Sequence, residues 1–311
     1  MRFLFVLGIV APLFGLILLG WIAGRRAWVP GGTTQALNSF VVRLALPALL
    51  FRIIAEARWS ALWHPGFIAA LVAGMAATFL LSLVFSRGRP LAERGIEGLA
   101  ASYSNTAFIG IPVCLAAFGP AGGPPPVIAS ILTVTLLFAF AILLVEYDVH
   151  RGRPISGIIA GVARALARNP LLIAPALGAL WMAGGWALPA PIHDLTTLLG
   201  AASTPCALVA IGLFFAERSV AAPQGRSAPL IALKLLVQPA ITAVFALWVF
   251  HMPPLWSSSA ILIAALPTGT GPFMLAELYD RDIAIAAHII LVSTIIAVIT
   301  VTALLTVIAP V

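Results

Sequence analysis

Ten apolar stretches run along the chain, separated by short segments rich in Arg, Gly and Pro. A membrane-spanning helix needs about 20 consecutive, predominantly apolar residues. The pattern therefore predicts an all-α polytopic membrane protein with ten transmembrane helices. The predicted spans are residues 3–23, 34–55, 66–86, 95–119, 126–147, 169–187, 194–216, 229–250, 257–277 and 283–308.

The composition excludes a soluble protein. Of 311 residues, 62% are hydrophobic and 9% are charged, and the mean hydropathy is +1.11. Soluble domains carry about a quarter charged residues. These charges are too few to solvate a globule of this size, so the bilayer must cover most of the surface. The short loops leave no room for a soluble domain.

The basic residues predict the orientation of the spans. Thirteen of the 17 Lys and Arg residues, with Lys234 assigned to the seventh loop, fall in the odd-numbered loops. Cytoplasmic loops carry an excess of Lys and Arg, so the odd loops are expected in the cytoplasm and both termini outside. The net charge of +7 is therefore interpreted as a topology signal and not as a nucleic-acid surface.

The two halves of the chain repeat the same order of prolines. Each half contains five spans, and an odd number means that the second half is inserted upside down relative to the first. Inverted repeats of this kind are typical of secondary transporters. We expect one repeat over residues 1–149, a cytoplasmic connecting loop over 150–168 and an inverted repeat over 169–311. The matching prolines are Pro12 and Pro175, Pro47 and Pro205, and Pro112 and Pro272.

Spans 4 and 9 carry polar residues, glycine and proline in the middle of an apolar run. Span 4 reads Ser-Asn-Thr at residues 104–106, and span 9 reads Pro-Thr-Gly-Thr-Gly-Pro at residues 267–272. Unwound backbone at membrane depth is tolerated only where it is buried in protein or lines a cavity. The sequence predicts two unwound segments at a substrate site, where helix N-termini suit an anion. A proline kink packed by neighbouring helices is the alternative.

At these motifs the chain resembles the auxin efflux carrier family. Residues 37–51 are similar to its second-helix signature, residues 105–112 to its fourth-helix crossover, and residues 266–282 to its ninth-helix motif. The resemblance covers the whole chain. It implies a scaffold of helices 1, 2, 6 and 7, and a moving transport domain of helices 3–5 and 8–10. It also implies a substrate site where helices 4 and 9 cross, and a homodimer through the scaffold.

The short link between the halves indicates which branch of the family the chain resembles. Plant members export indole-acetic acid, and bacterial members are associated with malate, malonate and similar carboxylates. This chain has about 20 residues between its halves, where many plant members have a long cytoplasmic loop. The resemblance therefore implies the compact bacterial type, a malate or malonate permease in a bacterial inner membrane.

Five of the candidate residues have alternative interpretations. Asn105 carries a donor and acceptors, so it can bond a substrate carboxylate or tie down loose backbone. Thr106, Thr268 and Thr270 can serve in either way as well. Arg43, in the second span, either partners the anion or extends to the cytoplasmic surface. The candidate substrate-binding residues are Asn105, Thr106, Thr268, Gly269, Thr270, Gly271 and Arg43, and the candidate helix-breaking residues are Pro47, Pro112, Pro205, Pro267 and Pro272.

The sequence predicts a secondary transporter, not an enzyme, that carries small organic anions such as carboxylates by alternating access around a midplane site. Its five histidines have no ligand-like spacing, and no metal, cofactor or nucleic-acid partner is predicted. The coupling residue is not visible, because spans 3, 5 and 10 contain no carboxylate in their interior. Coupling to protons, to Na⁺ or to the membrane potential, and uncoupled transport, all stay open. A membrane sensor or structural subunit, and an intramembrane enzyme, are the alternative classes.

Overall fold

The structure is a computed structural model that describes residues 2–58, 64–149, 155–217 and 224–308. Within these ranges the chain forms helices and short connections, with no strand beyond one isolated bridge. The all-α prediction is confirmed. The predicted loop residues Arg151, Arg153 and Arg218 lie outside the described ranges.

The helices follow the apolar stretches closely. Six of those described, α2, α3, α6, α9, α10 and α13, are long and apolar enough to cross a membrane by length and composition. Predicted spans 4 and 9 are each divided into two helices. The helices are α1 Arg2–Arg25, α2 Thr33–Ala55, α3 Pro65–Phe85, α4 Leu91–Ala100, α5 Thr106–Gly122, α6 Pro124–Val149, α7 Ile155–Ala167, α8 Pro170–Ala183, α9 Ala190–Glu217, α10 Gly225–Val249, α11 Pro254–Ala264, α12 Gly271–Leu278 and α13 Ile283–Ile308.

Glycine allows two helix pairs to pack backbone to backbone. A Cβ atom on Gly20 of α1 would lie 2.3 Å from the carbonyl oxygen of Val209 in α9. A Cβ atom on Gly178 of α8 would lie 2.6 Å from the carbonyl oxygen of Phe51 in α2. No Cβ fits at these distances, so only glycine permits the approach. Since α9 also packs on α2, we call α1, α2, α8 and α9 the first helix group.

The remaining long helices pack around the two divided spans, and we call α3–α6 and α10–α13 the second helix group. Their interior contains the fully buried side chains of Phe67, Leu99 and Leu262. One contact between the groups joins two aromatic rings, Phe214 of α9 and Phe273 of α12, which pack edge to face with centroids 4.7 Å apart. The groups therefore meet here through apolar surface.

Three of the predicted helix-breaking prolines lie inside continuous helices. Pro47 and Pro112 each follow a five-residue π turn, Val41–Ala45 in α2 and Thr106–Gly110 in α5. The wider π turn accommodates a residue that lacks an N–H donor and clashes with the preceding turn. Pro205 lies within the unbroken helix α9. The structure thus places no helix break at Pro47, Pro112 or Pro205.

One segment predicted as a loop is helical, and one residue counted with a loop lies in a helix. Lys234, assigned to the seventh loop, lies inside α10 and is fully buried. Its Nζ donates a hydrogen bond to the backbone carbonyl of Ala264, which satisfies one of its donors. The predicted connecting loop 150–168 contains α7, on which Val162 is buried and Arg164 is exposed.

Candidate substrate site

The two divided spans contact each other at their interruptions. Residues 101–105 separate α4 from α5, and residues 265–270 separate α11 from α12. Within these interruptions Ser104 and Thr268 face each other as an isolated antiparallel bridge. The polar and glycine-rich motifs of spans 4 and 9 therefore lie side by side.

Two backbone hydrogen bonds flank this bridge. The N–H of Asn105 donates to the carbonyl of Pro267 at 2.9 Å, and the N–H of Gly269 donates to the carbonyl of Tyr103 at 3.0 Å. Pro267, a predicted helix breaker, thus lies in a real interruption. Each unwound segment satisfies backbone groups of the other, which is what membrane depth requires of non-helical backbone.

Thr268 supports this contact, and it does not line the neighbouring cavity that Asn105 borders. Its Oγ1 donates to the carbonyl of Ala100 at 2.9 Å, and its N–H donates to Oγ of Ser293 at 3.1 Å. The side chain is fully buried. Neither Thr268 nor Gly269 is among the described residues that line the cavity.

Asn105 caps α5 with one end of its amide. Its Oδ1 accepts a hydrogen bond from the N–H of Phe108 at 3.3 Å, which satisfies one of the unpaired donors at a helix start. Among the described residues, Nδ2 has no hydrogen-bond partner, and Asn105 borders a cavity. Both interpretations of Asn105 are therefore compatible with the geometry: the oxygen ties down backbone, and the nitrogen is a donor for a ligand.

The cavity next to Asn105, which we call the Asn105 cavity, has a volume of about 140 Å³. Thr106 borders it, and its Oγ1 accepts a hydrogen bond of 2.9 Å from Oγ of Ser130. Small polar groups therefore form part of an otherwise apolar wall, which is the usual composition of a small-molecule site. The lining residues are Val42, Leu50, Tyr103, Asn105, Thr106, Ala107, Phe108, Ser130, Val134, Phe138, Asn169, Leu171, Thr270, Gly271 and Met274.

Three helices begin at the Asn105 cavity. α5 begins after Asn105, and α12 begins after Thr270, with Pro272 in its first turn, where proline needs no donor. α8 begins after Asn169, whose Oδ1 accepts from the N–H of Leu171 at 2.9 Å. Helix N-termini carry partial positive charge and unpaired N–H groups. Their convergence makes the cavity suited to an anion.

An aromatic ring covers both glycines of the second interruption. A Cβ on Gly269 would lie 2.8 Å from Cε1 of Tyr103, and a Cβ on Gly271 would lie 2.7 Å from Cε2 of the same ring. The glycines therefore make room for Tyr103, which itself lines the Asn105 cavity. Gly271 borders the cavity, whereas Gly269 lies under the ring.

Arg43 lines a larger cavity that adjoins the first, which we call the Arg43 cavity and which measures about 540 Å³. Four residues line both cavities, so the two spaces are neighbours: Val42, Phe108, Thr270 and Met274. Glu217 and Glu277, at the ends of α9 and α12, also line the larger cavity. The Arg43 side chain is exposed at this space and is not enclosed in the smaller cavity.

A third cavity of about 550 Å³ lies towards the other end of α2, and we call it the Arg52 cavity. Arg52 and Glu56 line it together with Leu115 and Gly119 of α5. The same helix thus carries Arg43 into one cavity and Arg52 into another.

Ion pairs join four segments at one end of the second helix group. The carboxylate of Glu97 in α4 accepts from Ser86 and Arg89, and from Nη2 of Arg226 in α10 at 2.9 Å. Arg226 also contacts Asp282, beside the start of α13, at 2.6 Å. These contacts connect helices within the second group.

Sequence reasoning missed several of these residues. Asn169 and Ser130 carry no motif, and only tertiary contact brings them to the cavity. The burial of Lys234 was missed too, although it is the chain's single lysine among 17 basic residues, a signal that the sequence did contain.

Comparison with known proteins decides the family. A family model described as membrane transport protein matches residues 5–305. The chain belongs to this family of membrane transporters. It is 29% identical over 292 residues to a putative malonate transporter of Rhizobium meliloti, covering 93% of this chain and 91% of the relative.

Two further relatives match this chain over a similar share of both sequences. Auxin efflux carrier component 8 of Arabidopsis thaliana is 24% identical, covering 88% of this chain and 89% of the relative. An uncharacterized transporter of Methanothermobacter thermautotrophicus is 26% identical over 90% of each chain. The resemblance to the auxin efflux carrier family is confirmed, and this family member is an integral membrane protein.

Proposed function

We propose that this transporter is a secondary carrier for small organic anions and that the Asn105 cavity is its substrate site. The observation that carries the proposal is the convergence of three helix N-termini on one cavity, with Nδ2 of Asn105 as an additional donor. The rhizobial relative, named for malonate, favours a dicarboxylate among the organic anions.

The predicted substrate-binding residues have three different roles in this proposal. Asn105, Thr106, Thr270 and Gly271 border the substrate, whereas Thr268 and Gly269 hold the interruptions together. Arg43 attracts the anion into the larger cavity and passes it to the smaller one, because the two cavities adjoin.

We also propose that the ten predicted spans form two inverted repeats, over residues 1–149 and 169–311, with 150–168 as the connecting segment. The glycine contacts support this. Gly20 meets the carbonyl of Val209, and Gly178 meets the carbonyl of Phe51. Gly178 lies 158 residues after Gly20, and Val209 lies 158 residues after Phe51. The same interval separates Pro47 from Pro205. The same contact therefore occurs twice with the two halves exchanged.

Transport in this proposal is a movement of the second helix group against the first. The hydrogen bonds of the interruptions and the Glu97–Arg226–Asp282 ion pairs all lie within the second group. The aromatic contact of Phe214 with Phe273 lies between the groups. Apolar surfaces can slide without leaving buried polar groups unpaired, so alternating access costs little at this contact.

The arginine distribution supports an assignment of the side of the membrane on which each cavity opens. With the odd loops in the cytoplasm, the Arg43 cavity faces the cytoplasm and both termini lie on the outer side of a bacterial inner membrane. The partners in this proposal are the anion, the lipid bilayer, a proton or Na⁺ as coupling ion, and a second copy bound through the first helix group.

Counterflow in proteoliposomes tests the proposal. Purified protein is reconstituted with internal unlabelled malonate, malate or indole-acetate, and uptake of the same labelled acid is measured. We expect saturable uptake of at least one acid. Protein-free liposomes and the variant Asn105→Asp serve as controls. The variant should take up the acid at least tenfold more slowly while keeping its elution volume in size-exclusion chromatography. Absence of counterflow for every acid with folded protein would overturn the proposal in favour of a sensor or structural subunit.

A further inference from the structure

The only lysine of the chain is buried inside a membrane helix. Lys234 lies in α10 and is fully buried, while the other 16 basic residues are all Arg. A basic side chain within the membrane is costly and marks a functional position by default. Arg stays protonated in proteins, whereas Lys is the basic residue that releases its proton when buried. The choice of Lys at this position therefore has a chemical consequence.

Lys234 contacts one half of a divided span. Its Nζ donates a hydrogen bond of 2.7 Å to the carbonyl of Ala264, the last residue of α11. One turn further along α10, Nε2 of Gln238 donates to the carbonyl of Ser102 in the other interruption at 3.0 Å. α10 thus binds the end of α11 and the first interruption through side chains four residues apart. Helix C-termini carry partial negative charge, which favours an ammonium group beside Ala264.

Within the described part of the chain, no carboxylate pairs with Lys234. The helices α3 and α11 carry no titratable side chain. On α13 the titratable group is His288, and on α4 the buried carboxylate is Glu97, which Arg89 and Arg226 already pair. Tyr103, in the first interruption, directs its ring towards the glycines of the second. Burial without a counter-ion disfavours the charged form of an amine relative to the neutral form.

Polar atoms continue from Lys234 along one face of α10. Gln238 and Thr242 follow at intervals of four residues, and all three side chains are buried. In the described residues, Oε1 of Gln238 and Oγ1 of Thr242 have no hydrogen-bond partner. Buried oxygens without protein partners are places where internal water is held. The face therefore carries a buried polar stripe from Lys234 to Thr242.

We propose that Lys234 is the proton-binding residue that couples anion transport to proton movement, an inference that rests on the proposed carrier function. The neutral amine of Nζ accepts a proton from water on one side of the membrane. The anion binds at the helix N-termini in the Asn105 cavity, while the ammonium lies beside the C-terminal end of α11. The proton and one negative charge of the substrate cross together, and Nζ returns the proton to water on the other side.

The test measures anion counterflow and proton flux in the same proteoliposomes. Counterflow reports on the carrier without net proton movement, and a pH dye inside the vesicles reports on protons that enter during net uptake. The variant Lys234→Gln keeps a donor for Ala264 but cannot titrate. We expect its counterflow rate to stay within about threefold of that of the unsubstituted protein. Net uptake by the variant should no longer be stimulated when the outside is more acidic than the vesicle interior, and substrate should no longer acidify the interior. The variant Arg281→Gln, which removes another positive charge from the second helix group, should retain both.

Each other result overturns the inference in a recognisable way. If the unsubstituted protein performs counterflow but moves no protons, the carrier proposal stands and proton coupling is wrong. If Lys234→Gln still acidifies the vesicles with substrate, another group binds the proton. If Lys234→Gln is folded but loses counterflow, Lys234 has a structural role. If no variant performs counterflow, the carrier proposal itself fails.

A spectroscopic measurement tests the same residue without transport. Protein labelled with ¹⁵N-lysine has a single side-chain Nζ signal, because the chain contains one lysine. We expect the chemical shift of this signal to change from the value of an ammonium group to that of an amine over the pH range in which transport depends on pH. A signal that stays at the ammonium position across that range would refute proton release by Lys234.

Discussion

The ring of Tyr103 lies directly against the backbone of Gly269, so the first interruption contributes the side chain and the second contributes the space for it. The neighbouring Gly271 accommodates the other edge of the same ring. The glycine-rich motif, which the sequence predicts as an unwound segment, therefore also serves as a packing surface.

Replacing both glycines by alanine should abolish transport through a steric clash. The added Cβ atoms would lie 2.8 Å and 2.7 Å from the ring of Tyr103, and overpacking of this kind costs about 1–3 kcal/mol per site. The decisive measurement is counterflow by Gly269→Ala/Gly271→Ala with and without Tyr103→Ala. Recovery of transport in the triple variant is expected, because the smaller side chain removes the clash. Gly15→Ala, with nothing near the added Cβ, is the matched control.

Substitutions of Asn105 should separate its two roles. Asn105→Asp retains an oxygen to cap α5 but replaces the Nδ2 donor by negative charge, so we expect normal folding and at least tenfold slower anion counterflow. Asn105→Ala also loses the cap, which is worth about 1 kcal/mol, and should unfold at a lower temperature. Thermal unfolding and counterflow are measured for both variants. Unimpaired counterflow by Asn105→Asp would show that the amide does not contact the anion.

Arg43 and Arg52 should affect opposite sides of the membrane. They lie on one helix but line different cavities, and each attracts anions that enter its own cavity. Arg43→Gln is expected to raise the KM for substrate from the side of the Arg43 cavity several-fold, and Arg52→Gln from the other side. Initial rates in vesicles of uniform orientation provide the measurement, and equal effects of each variant on both sides would contradict the assignment. Added salt should reduce both effects.

Alanine at Gly20 and at Gly178 should destabilise the protein to a similar extent. Each added Cβ would meet a backbone carbonyl oxygen, at 2.3 Å and 2.6 Å, and backbone cannot move aside as a flexible side chain can. We expect a clear fall in the unfolding temperature of detergent-purified protein for both variants. Gly8→Ala, which meets nothing within 4 Å, should be neutral. A large effect at one glycine and none at the other would contradict the repeated contact.

Tyr279 should make the protein sensitive to alkaline pH. Its hydroxyl donates to Glu146, and burial together with this carboxylate raises the pKa of Tyr279 above its usual value. The folded state thus favours the neutral phenol. Its contribution to the free energy of unfolding is complete below the ordinary tyrosine pKa of about 10 and is lost as the pH rises above it. Unfolding curves of Tyr279→Phe should therefore depend less steeply on pH above about 10 than those of the unsubstituted protein. Parallel curves would refute the contribution.

Much of the fold could be predicted because membrane helices are encoded locally. The length of an apolar run determines whether a helix can cross, and α13 begins and ends at the residues predicted for span 10. The interruptions were also visible, since polar residues, Gly and Pro within an apolar run weaken a helix at that point. The effect of an isolated proline was less predictable: Pro47 and Pro205 lie in continuous helices, because the helix can widen or repack around one missing donor.

The sequence by itself determined the membrane class, the positions of the apolar helices and the two interruptions, because these depend on neighbours along the chain. Only the tertiary structure decided which motif residues border the cavity. It placed Thr268 in a supporting bond and Asn169 at the cavity wall, because hydrogen-bond partners and converging helix ends come from distant parts of the chain. It also buried Lys234 beside Ala264, which lies 30 residues further along the chain. A local pattern could not reveal that partner, since the carbonyl is available only where α11 ends.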